Sequence, residues 1–164
     1  MLVIGIDPGT AITGFGVISE NQDGSIIAVD YGAIRTPAGV PMQERLSIIY
    51  NDLSKVLLLH KPQLAAVEKL FFQRNVTTAL AVGQARGVAL LALDQAGIEA
   101  AEYTPLQVKQ AVAGYGGADK NQVQLMVRAI LSLPEIPKPD DAADALAVAI
   151  CRLHSYAMEE IIKS

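Results

Sequence analysis

The chain has 164 residues, 51% hydrophobic and 5% aromatic, with a formal net charge of −4 at pH 7. That length suits one domain able to bury roughly 70% of its unfolded surface, and the composition excludes a disordered chain. A lone cysteine, Cys151, excludes an internal disulfide framework and fits a reducing, cytoplasmic setting.

Neither a basic signal-peptide start nor an apolar run of the ~18 residues a membrane span needs is read in the chain, so no membrane partner is expected. With His60 and His154 far apart and only Cys151 beside them, zinc held by its usual ligands is not expected either. The charge is unevenly spread. Residues 1–30 hold Asp7, Glu20, Asp23 and Asp30 with no basic side chain. Lys69, Arg74 and Arg86 lie in 69–86 without an acid, and Lys109, Lys120 and Arg128 lie in 105–130 against Asp119 alone. Acidic clusters flanked by basic segments suit an enzyme that holds metal ions and grips phosphates around them, although surface charges also cluster by chance.

In chain order, residues 2–7 read as a buried strand that ends on Asp7 and turns at Pro8-Gly9. Residues 13–20 alternate apolar and polar, NQDG at 21–24 signals a hairpin, and 25–36 returns as a third strand. From Pro41 the spacing Leu46, Ile49, Tyr50, Leu53, Val56, Leu57 predicts a helix ending at Lys61-Pro62. LAAVE at 64–68 is a short strand that again ends on a carboxylate, Glu68, and 76–97 reads as a long buried helix. Residues 98–103 form a fifth strand, and Thr104-Pro105 cap and open a short helix to about Val112. GYGGADK at 114–120 is a glycine loop, and Asp119 with Gln122 forms a capping box for a helix over 120–133. PEIPKP at 134–139 breaks the chain before a last helix from Asp140, which leaves a domain over 1–160 and a short tail at 161–164. The order is read as β-β-β-α-β-α-β-α-α: an α/β fold whose mixed five-stranded sheet carries helices on both faces. Strands one, four and five, joined by helical crossovers, are expected to be parallel neighbours.

Ligands bind beyond the carboxyl ends of parallel strands, where Asp7 and Glu68 both lie. Asp141 and Asp144 sit three apart on one helix face. Asp140, after Pro139, is the natural N-cap. Each acid alone has a plainer reading: Asp7 as a turn residue, Glu68 as a surface strand end, the aspartates as partners of the helix dipole. Four carboxylates gathered together cannot all stay ionised without a cation. With no His or Cys among them, oxygen ligands point to Mg²⁺ or Mn²⁺, two ions per site, with Asp7 the candidate bridge.

The stretches GIDPGT (5–10), VEKLFFQRN (67–75), GQARGV (83–88), QVKQAVAGYGGADKNQVQ (107–124) and DDAADALAVAI (140–150) run in an order that resembles the RuvC family of bacterial Holliday-junction resolvases, of the ribonuclease H-like superfamily. The resemblance spans essentially the whole chain and implies that the mixed sheet is a ribonuclease H-like fold. It implies a catalytic tetrad of Asp7, Glu68, Asp141 and Asp144, although the doublet leaves open whether Asp140 or Asp141 reaches the metal. It implies a homodimer that nicks two opposed strands of a four-way DNA junction, in recombination and repair, alongside the branch-migration helicase complex of RuvA and RuvB. Lys109 and Lys120 match the family's basic residues near the site. Phe71, in the loop after Glu68, is the ring expected to stack on bases at the junction centre, with Arg74 a general phosphate contact. The small residues of the helix from 76 mark it as the first place to look for the dimer interface.

Other readings stand beside this one: a related nuclease acting on RNA, a purely structural junction binder, or the first phosphate loop of an actin-like ATPase. The last needs a second half, for which 164 residues leave no room.

Overall fold

A computed structural model of the chain describes residues 1–69 and 75–164. The apolar run Leu2–Asp7 forms the central strand, β1. On one side β2 (Ile12–Glu20) pairs with it antiparallel, and β3 (Ile26–Arg35) pairs antiparallel with β2 through the hairpin at 21–25. On the other side β4 (Leu64–Glu68) and then β5 (Ala100–Tyr103) run parallel to it, so the sheet order is β3-β2-β1-β4-β5. Crossover helices join the parallel strands: α1 (Met42–His60) before β4 and α2 (Val76–Gln95) before β5. Three helices follow, α3 (Pro105–Ala113), α4 (Lys120–Ile130) and α5 (Asp140–Lys163). The full order is β-β-β-α-β-α-β-α-α-α, one short helix more than the shorthand read from sequence.

Alternation along the strands sorts side chains to two cores. Ile4, Ile6, Val17, Ala65 and Val67 face α1 and α2. Val3, Ile18 and Ala66 face α3, α4 and α5. The same parity sends Asp7, two residues beyond Gly5, and Glu68, two beyond Ala66, to the α5 side.

α5 lies directly on that face, because glycine lines the strands beneath it. A Cβ on Gly5 would overlap the Ala145 carbonyl oxygen and stand 2.5 Å from Ala149 N; one on Gly14 would overlap the Asp141 carbonyl. One on Gly16 would stand 2.7 Å from Leu146 Cδ2 and 2.8 Å from Leu146 N. Gly5 is paired across the strands with Gly16, and Gly14 with Asp7. The alanines of α5 complete the fit: Ala142, Ala143, Ala145, Ala147 and Ala149 are all buried, beside Leu146 and Ile150.

Some boundaries differ from the sequence reading. Pro139, not Asp140, holds the N-cap position of α5, with no side-chain cap bond. α4 stops at Ile130, because Ser132 adopts a left-handed φ of 51° and Leu133 N–H closes onto the Arg128 carbonyl at 2.9 Å. α2 ends at Gln95, where Gly97 turns the chain. Residues 161–163, assigned to a tail, are the last turn of α5. Val76–Gln95 is long and apolar enough to cross a membrane by length and composition alone, against the expectation that no such run exists. Here it is a domain helix that buries Ala85, Ala89, Ala92 and Leu93.

Gly5→Ala is expected to lower unfolding free energy by about 1–3 kcal/mol in urea denaturation, as overpacking against backbone cannot be relieved by rotamer changes. Gly14→Ala, beneath the first turn of α5, is expected to cost nuclease activity at temperatures where the protein remains folded. Equal activity for Gly14→Ala and wild type would contradict this account of how α5 is placed.

Candidate active site

Asp7 is followed by a tight turn that its own side chain does not hold. The buried Thr13 does so: its Oγ1 donates to the Gly9 carbonyl at 2.7 Å and accepts from Gly9 N–H at 3.3 Å. Thr36 adds a bond from its hydroxyl to the Thr10 carbonyl at 2.5 Å, and Arg45 Nε donates back to Thr36 Oγ1 at 2.8 Å. The Asp7 carboxylate is thereby left for something else.

Around it stand the other three acids. Ile6 is in register with Val67, so Glu68 ends β4 where Asp7 ends β1. The first turn of α5, seated on Gly14, carries Asp141 directly over Asp7's strand partner, and Asp144 follows one turn on. Burial first, then the carboxylate of Glu68, then those of Asp144 and Asp141, push the Asp7 carboxyl up to about 9. Burial also raises Asp144, to about 6, although Lys120 opposes the rise.

Lys120, the first residue of α4, sets its ammonium 3.3 Å from Asp140 and 3.7 Å from Asp144. Partial burial would lower its pKa, but these carboxylates outweigh that and leave it raised. Asp140 is exposed, pairs with Lys120 and accepts from Gln124 Nε2 at 3.2 Å, which pull its carboxyl below the ordinary range. The doublet is thus divided: Asp140 holds Lys120 at the surface, while Asp141 belongs to the carboxylate group.

Glu68, Asp144, Lys109 and Lys120 line one cleft of about 250 Å³, walled by Pro105, Val108, Val123 and Ala147. A larger cleft, about 810 Å³, lies at the opposite end of the sheet between the C-terminal ends of α1 and α2. Its lining includes Leu57, Leu58, Gln63 and Ile98 and no acid, so the chemistry belongs to the smaller one. Among the described residues Lys109 has no carboxylate within ion-pair distance.

Other sequence candidates fall elsewhere. Phe71 and Arg74 lie outside the described residues. Arg86 is paired with Glu102 of β5, and Arg128 Nε donates to the Leu133 carbonyl at 3.3 Å, both structural. His60 pairs with Asp30 at 2.7 Å, away from the acids. Sequence reading missed the tie between Asp140 and Lys120 and the glycine bed under α5. The alternating glycines of Thr13-Gly14-Phe15-Gly16 were the available signal, since glycine inside a strand marks close backbone approach.

The donor set is entirely carboxylate oxygen, which suits hard divalent cations. No three acids among the described residues close into a ready ligand cage. The fit rests instead on electrostatics: burial first, and then the neighbouring carboxylates, keep the proton on Asp7, and a divalent ion among these oxygens would offset both.

The family model described as "Crossover junction endodeoxyribonuclease RuvC" matches residues 3–152. The chain belongs to the RuvC family. It is 61% identical over 155 residues to the RuvC of Desulfitobacterium hafniense strain DCB-2, covering 94% of this chain and 93% of that one. It is 56% identical to the RuvC of Pelotomaculum thermopropionicum over 163 residues, with 99% of each covered. Among solved structures, T. thermophilus RuvC in complex with a Holliday junction substrate superposes with a TM-score of 0.92 at 40% identity, covering 97% of this chain and 96% of that one. A yeast mitochondrial Holliday junction resolvase shares the fold at 15% identity, with a TM-score of 0.65 over 94% of this chain and 80% of that one.

The electrostatics of this RuvC-family site carry a pH signature. In the unfolded chain Asp7 loses its proton near 3.8; folded, it keeps it to about 9. Between those values unfolding releases a proton, so metal-free stability falls as pH rises. In EDTA, wild-type stability is expected to drop between pH 5 and pH 8, and Asp7→Asn to flatten the slope. Parallel slopes for the two proteins in urea titrations at each pH would refute it.

Proposed function

We propose that the chain is a crossover junction endodeoxyribonuclease that hydrolyses phosphodiesters of a four-way DNA junction. Acting as a homodimer, it nicks two opposed strands at symmetric positions and leaves 5′-phosphate and 3′-hydroxyl ends. The observation that carries this reading is the convergence of Asp7, Glu68, Asp141 and Asp144 at the carboxyl edge of a sheet whose family includes the junction-bound T. thermophilus protein.

Asp7, Glu68, Asp141 and Asp144 would hold two Mg²⁺ ions, for which Mn²⁺ would substitute. When bound, such ions would offset negative charge on the phosphate oxygens and make the attacking water more acidic. The protein's own groups do the positioning. Asp7 sits on the most constrained strand and offers a fixed carboxylate. Lys109 of α3 and Lys120 of α4, both lining the cleft, would take the non-bridging oxygens of the scissile and neighbouring phosphates. Lys120 exchanges its Asp144 contact for phosphate while Asp140 keeps it in place.

The chemistry is tested on a synthetic four-way junction with a short homologous core, beside a linear duplex of the same sequence, in Mg²⁺ or EDTA. Paired symmetric nicks in the junction only, in Mg²⁺ only, are expected. Asp7→Asn should bring cleavage below detection with junction binding retained. Cleavage that persists in EDTA, or equal attack on the duplex or on an RNA–DNA hybrid, would overturn the assignment.

Support for the dimer comes from α2. Val76, Leu80, Gln84, Gly87 and Leu91 fall on one stripe, and Val76, Leu80 and Leu91 are 69%, 65% and 50% exposed. An apolar stripe of that length on a single chain is the kind of patch that a protein partner covers. The double variant Leu80→Glu/Leu91→Glu is expected to sediment as a 17.4 kDa monomer and to lose paired nicking. A variant that sediments with wild type would remove α2 from the interface.

A further inference from the structure

The loop that joins the two lysine-bearing helices, α3 and α4, carries an aromatic side chain with no role so far. α3 ends at Gly114, with φ of 86°, and α4 opens at Lys120, so residues 115–119 bridge the two helices. Ala118 is buried and anchors this loop. Gly116 lies so close on Leu106 that a Cβ there would overlap its side chain. Tyr115 is 50% exposed, yet fixed. Its hydroxyl donates to Gln122 Oε1 at 2.9 Å, and the same oxygen accepts from Asp119 N–H at 2.9 Å within the α4 capping box.

The hydroxyl is thus satisfied and the ring held at its far end, while half its surface stays in water. Leu106, 56% exposed, follows Pro105, which lines the cleft. Tyr115 stands on the loop that runs directly into Lys120, and the Leu106 side chain packs against the same loop at Gly116. A phosphate bound between Lys109 and Lys120 leaves the base of that nucleotide, or its neighbour, to find a surface next to them. An exposed, pre-ordered ring is such a surface, with little ordering entropy left to lose.

We propose that Tyr115, backed by Leu106, is a stacking platform for an unpaired nucleobase of the strand whose phosphate occupies the cleft. Tyr115 is a positioning residue: it holds the strand in register with the acids and touches no reacting atom. The proposal rests on the catalytic assignment of those acids. Stacking accepts any base face, so the contribution is expected to be independent of base identity.

The test uses four-way junctions carrying 2-aminopurine at single positions flanking the nick, bound to the cleavage-dead Asp7→Asn protein. Fluorescence quenching at one or more of these positions is expected. Adding Tyr115→Ala should abolish it, and Tyr115→Ala alone should slow junction cleavage about tenfold, with an unchanged thermal midpoint. Tyr115→Phe and Tyr115→Trp, which keep a ring, should retain both quenching and rate. Tyr115→Leu, apolar without a ring, should behave as the alanine variant and carries the test if that one unfolds.

Quenching and rate unchanged in the ringless variants would overturn the proposal. So would Tyr115→Phe as damaged as Tyr115→Ala, since the hydroxyl bond to Gln122 would then be what matters. Cleavage by Asp7→Asn itself would instead sink the catalytic assignment, whatever the ring variants do.

Discussion

Everything about the site depends on how closely α5 lies on the sheet. A helix normally packs on a sheet through side chains, which hold the two backbones apart much as they hold stacked sheets about 10 Å apart. Here Gly5, Gly14 and Gly16 remove the side chains from one component and alanines shorten them on the other, so a helix backbone rests on a strand backbone. The contact is unforgiving, because no rotamer can relieve a Cβ placed against a carbonyl. That rigidity sets where Asp141 and Asp144 stand relative to Asp7.

The same closeness creates the electrostatic problem. Burial under the helix, and then the crowding of two carboxylates at strand ends with two on that helix, push the Asp7 carboxyl up to about 9. The folded chain therefore works against its own site whenever no cation is present, and the deep cores on both faces of the sheet must absorb that cost. Lys120 supplies part of the missing charge, but from the rim, where its side chain is 58% exposed and tied to Asp140. An exposed, singly charged group at the edge suits exchange with a phosphate better than permanent neutralisation of a buried acid.

Much of this was legible in the sequence, for identifiable reasons. Strand parity places Asp7 and Glu68 on one face once the strands are parallel neighbours, and both crossovers are long enough to require that. The Asp119–Gln122 capping box formed as the spacing implied, and Thr104 caps α3 as expected, with Gln107 completing a second box that sequence reading missed. The division of labour within Asp140-Asp141 was not legible. It depends on the rotation of α5 about its axis, which Gly14 decides from a strand far earlier in the chain, through its contact with Asp141. Nor could the end of α5 be read, since Met158, Ile161 and Ile162 continue the helix as exposed apolar residues without a packing partner to define its limit.

The two faces of the sheet divide the work. On one face α3, α4 and α5 bring charge to the carboxyl edge; on the other α1 and α2 cover the strands, and α2 keeps an apolar stripe outward. β4 and β5 join the two directly: Glu68 ends β4 in the site, while Glu102 of β5 is paired with Arg86 of α2. A dimer built on α2 would therefore be coupled to each active site by a short run of sheet rather than by loops. For a substrate with two equivalent strands to cut, that coupling has a consequence. In such a dimer the path from interface to site within each chain would run through strand register, among the stiffest quantities a fold of this size offers.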